Sequence, residues 1–187
     1  MSQDRIQALQ KILKDPDASV RQAAADSLDA LEARGSLQSL IEQLRTGDRG
    51  QRIAAVCALE QVQSPGVFVP LLAALKSDDP DLRAAVARVL GSKRHPKTLG
   101  ALVKALKDPV PGVQAEIIRA LSAFSDRRIP ACLAPYLKGG DEVALAAIDA
   151  LAHLGFAEGE PFLLESLGDE RSAVRRGAAA ALGRLNQ

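Results

Sequence analysis

Aromatic residues are nearly missing from this chain of 187 residues, which has no tryptophan, one tyrosine and four phenylalanines. That leaves little for base stacking or for aromatic-lined clamps. Histidine is limited to His95 and His153, and cysteine to Cys57 and Cys132. The two cysteines lie far apart, which points to reduced thiols, small inert side chains and a cytoplasmic setting. Charge of either sign is not in excess: 24 Lys and Arg against 23 Asp and Glu give a formal +1. Bulk attraction to nucleic acid or to an acidic membrane surface is therefore not expected. No apolar run approaches the roughly 18 to 20 residues of a membrane span. The polar start, Met1 to Arg5, does not read as a signal peptide.

What the chain does have is a repeat. Leu28, Leu59, Leu90, Leu121, Leu151 and Leu182 fall into register at steps of 31, 31, 31, 30 and 31 residues. Seven residues before each stands Arg21, Arg52, Arg83, Gln114, Ala144 or Arg175. Upstream lie matching phrases that close a first helix: Leu13-Lys14, Leu44-Arg45, Leu75-Lys76, Leu106-Lys107, Leu137-Lys138 and Leu167-Gly168. Counting from the residue before the arginine column, apolar side chains occupy offsets 0, 4, 7, 8 and 11, a single stripe at helical period. In the third unit Leu82, Val86, Val89 and Leu90 carry it. One helix pair cannot bury such a stripe alone, whereas stacked pairs can. The fold class is all-α: one α-solenoid of six helix pairs, with units of about 1–36, 37–67, 68–98, 99–129, 130–160 and 161–187.

Taken in order, unit one opens with a polar helix over about 3–14 that suits an N-terminal cap. A turn at Asp15-Pro16-Asp17 follows, then a second helix over about 20–31. Unit two has separate helices near 37–44 and 52–62. Pro70 lies early in the first helix of unit three, where a missing N–H costs little. Unit five is irregular: its turn is one residue short, and Pro135 should kink its first helix or delay its start.

The phrases Asp15 to Leu28 and Asp169 to Gly183 resemble HEAT repeats, specifically the short bacterial kind of the bilin-lyase-like HEAT proteins. The resemblance covers the whole chain and implies an α-α superhelix with armadillo-like stacking. It also implies a structural ladder in which a turn aspartate meets the arginine opening the second helix. Asp15 with Arg21 and Asp169 with Arg175 fit that ladder at a spacing of six, and Arg52 and Arg83 continue it. Gln114 and Ala144 interrupt it, so units four and five are expected to be its softest part.

Catalytic signals are absent from the sequence. An iron-binding hydroxylase of this fold carries repeated His-Glu pairs, and neither histidine here is followed by Glu. No nucleophile–base pair stands out, so no catalytic residue, metal or cofactor is assigned. Lys93-Arg94-His95 with Lys97 forms one basic loop between units and reads as a solvated turn.

Offsets 2, 5 and 6 of the second helices point away from the stripe and, by the resemblance, line the concave surface. There Ile53, Val56, Cys57, Ile118, Leu145 and Ile148 form an apolar strip flanked by Asp26, Arg88, Arg119 and Asp149. A strip of this kind with a charged rim suits a peptide or partner helix. The expected function is a non-enzymatic interaction scaffold that binds a protein segment on this face. The alternative implied by the resemblance is a subunit of a bilin lyase or a related chromophore-handling protein, with Tyr136, His153 and the arginines as pigment contacts. The Ala-rich C-terminal helix suggests self-association at that end.

Overall fold

The structure, a computed structural model, describes residues 3–185. Within them the chain is entirely helical apart from turns, and the second helices of successive units stack on one another in a layer. That layer comprises α3 (Arg49–Gln61), α5 (Pro80–Lys93), α7 (Pro111–Ser122), α9 (Asp141–Leu154) and α11 (Ser172–Leu182). The first helices form the other layer. They include α4 (Phe68–Ala74), α6 (Pro96–Ala105), α8 (Ile129–Leu133) and α10 (Glu160–Ser166).

Local chemistry explains most of the boundaries. Pro80, Pro96 and Pro111 open their helices in the first turn, where no intrahelical N–H is required. Asp48 and Gln51 form a reciprocal capping box on α3. Pro135 changes the helix type: α8 stops at Leu133 and the chain continues as a 3-10 segment over Ala134–Lys138. The periodic stripe is the core. Leu82, Val86, Val89 and Leu90 are all fully buried, as are Leu121 and Leu151. Replacing Leu90 with Ala should lower unfolding stability by about 2–5 kcal/mol, read from urea titration of the helical signal. A change below 1 kcal/mol would mean that the column leucines do not carry the packing.

One expected boundary is absent. The second helix of unit one and the first helix of unit two are one helix, α2 (Ala18–Thr46, 29 residues), which follows α1 (Gln3–Ile12). The reason lies in the link. Ser64-Pro65-Gly66 reverses the chain after α3, but the matching Ala33-Arg34-Gly35 has no proline. A lone glycine costs a helix only about 1 kcal/mol, so it does not break there.

Units four and five lack the column arginine yet are well packed. They hold some of the most deeply buried side chains of the core, including Ala115, Ile117, Ile118, Ala144, Ala147 and Ile148. By contrast α1 buries no residue, and α2 buries only Ala24 and Leu44. Neighbouring units make good the missing arginines: the Tyr136 hydroxyl donates to the Leu106 carbonyl (2.9 Å), and Arg171 reaches the carbonyls of Leu137 (2.9 Å) and Gly139.

Candidate functional site

The arginine column serves the backbone. Arg21 donates from one nitrogen to the carbonyls of Asp15 (2.7 Å) and Pro16 (2.9 Å). Arg175 does the same to Asp169 and Glu170, both at 2.7 Å. Arg83 repeats the pattern on Ser77 (2.8 Å) and Asp78 (3.1 Å). Each guanidinium thus satisfies carbonyls left over in the turn after a first helix, and its charge suits that end of the helix dipole. At the spacing of six Arg21 and Arg175 meet the carbonyl of Asp15 or Asp169 and not its carboxylate, and the carboxylate bond expected of the ladder is made across units, from Arg83 to Asp108.

The same column also makes bonds between units. Arg83 also holds the Asp108 carboxylate of the next unit with two bonds of 2.6 and 2.9 Å. Arg52 donates to Leu44 O and to Ser77 Oγ of the next unit. Asp169 is gripped by Arg171, whose hydrogen bonds and charge lower its pKa to about 2.

On the candidate binding face the structure separates the six apolar residues. Val56 and Ile118 are fully buried and Ile148 is 1% exposed, so these three lie in the core and not on a free groove. Their column points at the next second helix: a Cβ placed on Gly177 would meet Leu145 and Ile148 at 3.3 to 3.6 Å. A second helix touches its own first helix and both neighbouring second helices, so more of its surface is covered than the core stripe alone. A wheel drawn for one helix does not reveal that. Ile53 and Leu145 are half-buried, and Cys57 is exposed.

What remains open is one row at offset 6: Cys57, Arg88, Arg119, Asp149 and Ala180, exposed in five consecutive units. Its charges are held only loosely. Arg88 lies 3.4 Å from Glu60, Asp149 lies 3.3 Å from Arg184, and Arg119 pairs with Glu116 one turn back. Such exposed pairs contribute roughly 0–1 kcal/mol each, so a partner's charges can displace them.

In the basic loop Arg94 and Lys97 are exposed, while Lys93 and His95 are partly buried. Lys93 donates to the carbonyls of Glu60 and Val62, both at 2.9 Å, and burial pushes its pKa down. His95 stacks on Phe68 at 4.1 Å. His153 is exposed, while the Tyr136 hydroxyl is already engaged. A separate open cleft of about 680 Å³ lies on the first-helix side between units five and six, lined by Pro135, Leu137, Phe162, Glu165 and Asp169. Among the described residues no group of three or more His, Cys, Asp or Glu is placed to hold a metal ion, and no helix is long and apolar enough to cross a membrane.

Comparison with known proteins follows the same repeat. The family model for HEAT repeats matches residues 2–60, 68–141 and 133–187. A comparison with curated protein sequences finds no match. Among solved structures, the complex of CpcE and CpcF of phycocyanin lyase from Nostoc sp. aligns with a TM-score of 0.68 at 24% identity. That alignment covers 81% of this chain and 65% of the lyase chain. A designed armadillo repeat protein in complex with the peptide (KR)4 aligns at 0.60 and 20% identity, over 98% of this chain and all of the other. Human deoxyhypusine hydroxylase in complex with glycerol aligns at 0.55 and 18% identity, covering 86% and 77% of the two chains. At these identities the likeness is one of fold.

Proposed function

Since the chain belongs to the HEAT-repeat family, we propose that it is an interaction scaffold whose second-helix layer binds an extended segment of a partner protein. The observation that carries this is the exposed row of Arg88, Arg119 and Asp149, one charged side chain per unit in register. Stacked helices lie about 8–10 Å apart, and an extended chain advances about 3.3 Å per residue. A partner segment with acidic side chains about three residues apart, followed by a basic one, would match this row. Half-buried Ile53 and Leu145 supply apolar contact beside it. The buried Val56, Ile118 and Ile148 hold the surface in shape from below and do not touch the partner.

The test uses a variant that leaves the core alone. Arg88→Glu with Arg119→Glu should keep the helical spectrum, yet lose a protein captured from the native lysate by the unmodified chain. A partner held equally by both would overturn the assignment of this row.

A second reading draws on the likeness to phycocyanin lyase and on the cleft beside Phe162, whose 680 Å³ falls in the range of organic-ligand sites. It makes the chain a subunit that handles a bilin. A shift in visible absorbance when a free bilin is mixed with the protein would support it. An unchanged spectrum would remove it.

A further inference from the structure

Fusion of two helices into α2 leaves one interface of the repeat unfilled. In units three to six the residue before the column leucine is buried: Val89, Ala120, Ala150 and Ala181. The preceding second helix covers it, as Gly91 illustrates, where an added Cβ would sit 2.8 Å from that of Ala120. The equivalent in unit two, Ala58, is exposed, and so is Ala54 one turn earlier.

The segment whose register matches this vacant face is the second helix of unit one, residues 18–31. It cannot reach its own α3. The chain reverses only at Gly47 and Asp48, so α2 runs back beside α3, and the end of α3 lies level with about residue 35. Gly66, just past that end, lies against Leu37. The preceding seventeen or so residues of α2 therefore project roughly 25 Å beyond α3, carrying α1 with them. This arm also exposes Ile12, Leu13 and Val20, at 40, 39 and 37%.

We propose that two copies of this chain exchange these arms, residues 18–31 of each seating on Ala54 and Ala58 of the other. The arrangement is a reciprocal domain swap, which needs no surface that the repeat does not already use between its own units. It concerns the end of the layer, not the charged row, so it stands or falls separately from the proposed scaffold function.

Two variants test it. Ala33→Ser with Arg34→Pro recreates the reversing Ser-Pro-Gly of the next link and lets the arm fold back on its own α3. The unmodified chain should scatter light as a species of twice 19.7 kDa, and this variant as one of half that mass. The second variant places cysteines at Asp29 and Ala58, the register equivalents of Gly91 and Ala120, with Cys57 and Cys132 replaced by serine. Oxidation should give a disulfide-linked dimer on a non-reducing gel. An unmodified chain that stays monomeric, a dimer that survives the restored turn, or a disulfide closed within one chain would each overturn the proposal.

Discussion

Ile118→Glu should abolish cooperative folding of the central repeats, whereas Arg119→Glu, one residue further along α7, should leave it intact. Ile118 is fully buried. Removing its side chain alone costs about 2–5 kcal/mol by the cavity rule, and an unpaired carboxylate in its place adds several kcal/mol of desolvation. The sum reaches the roughly 5–15 kcal/mol that holds a domain together. In a repeat array each unit is stabilised by its neighbours, so losing unit four uncouples the units on either side of it. Arg119 is exposed, and its pair with Glu116 is a surface one, so its replacement should shift stability by less than about 1 kcal/mol. Urea titration followed by circular dichroism distinguishes the two. A well-folded Ile118→Glu variant with an unchanged midpoint would restore this residue to the open face and revive the apolar groove.

The contrast between these adjacent residues marks where the sequence was readable. The stripe at offsets 0, 4, 7, 8 and 11 was plain because a core leucine or valine recurs at fixed spacing. Leu82, Val86, Val113, Ile117, Val143 and Val174 are buried as that spacing requires. Offset 5 was misread because Val56, Ile118 and Ile148 are covered by the next repeat, about thirty residues away, and no periodicity within one helix contains that information. Offset 6 survives because its side chains point between neither pair of helices.

Helix α2 was misread for a different reason. Gly35 stands in register with Gly66, and the difference in outcome lies in the proline before one of them. The column leucines keep their spacing through both links alike, so the repeat register does not report the difference. The compensation at Ala144 was equally hidden. Its substitute, Arg171, lies in the following turn, and nothing in sequence separation ties it to the carbonyls of Leu137 and Gly139.

Asp108→Ala should lower stability by about 3 kcal/mol at neutral pH, the lower end of what breaking a buried ion pair costs. The pair qualifies as buried, since 11% of the Arg83 side chain and 8% of that of Asp108 are exposed. The lower end applies because Arg83 keeps the carbonyls of Ser77 and Asp78 when its carboxylate partner is lost. Replacing both members, Arg83→Met with Asp108→Leu, should cost less than the single change, because no charge is then left stranded in the interface.

The effect should also depend on acid. Burial raises the pKa of Asp108, but the hydrogen bond from Arg83, the Val110 N–H and the nearby positive charge outweigh it, and the net shift is downward from 3.8. A carboxyl that is more acidic in the folded state binds fewer protons there than when unfolded. Its contribution is present in full above the unfolded value and fades as pH falls through the folded one. The stability gap between the unmodified chain and Asp108→Ala should therefore be constant from pH 7 to about 5 and close below pH 3.8. Asp126 and Asp169, each lowered to about 2 by the side-chain hydrogen bond of a nearby arginine, should extend the chain's own loss of stability toward that value. Urea titrations of both proteins at steps of one pH unit read this directly. A gap that persists unchanged at pH 2.5 would show that Asp108 acts through packing and not through its charge.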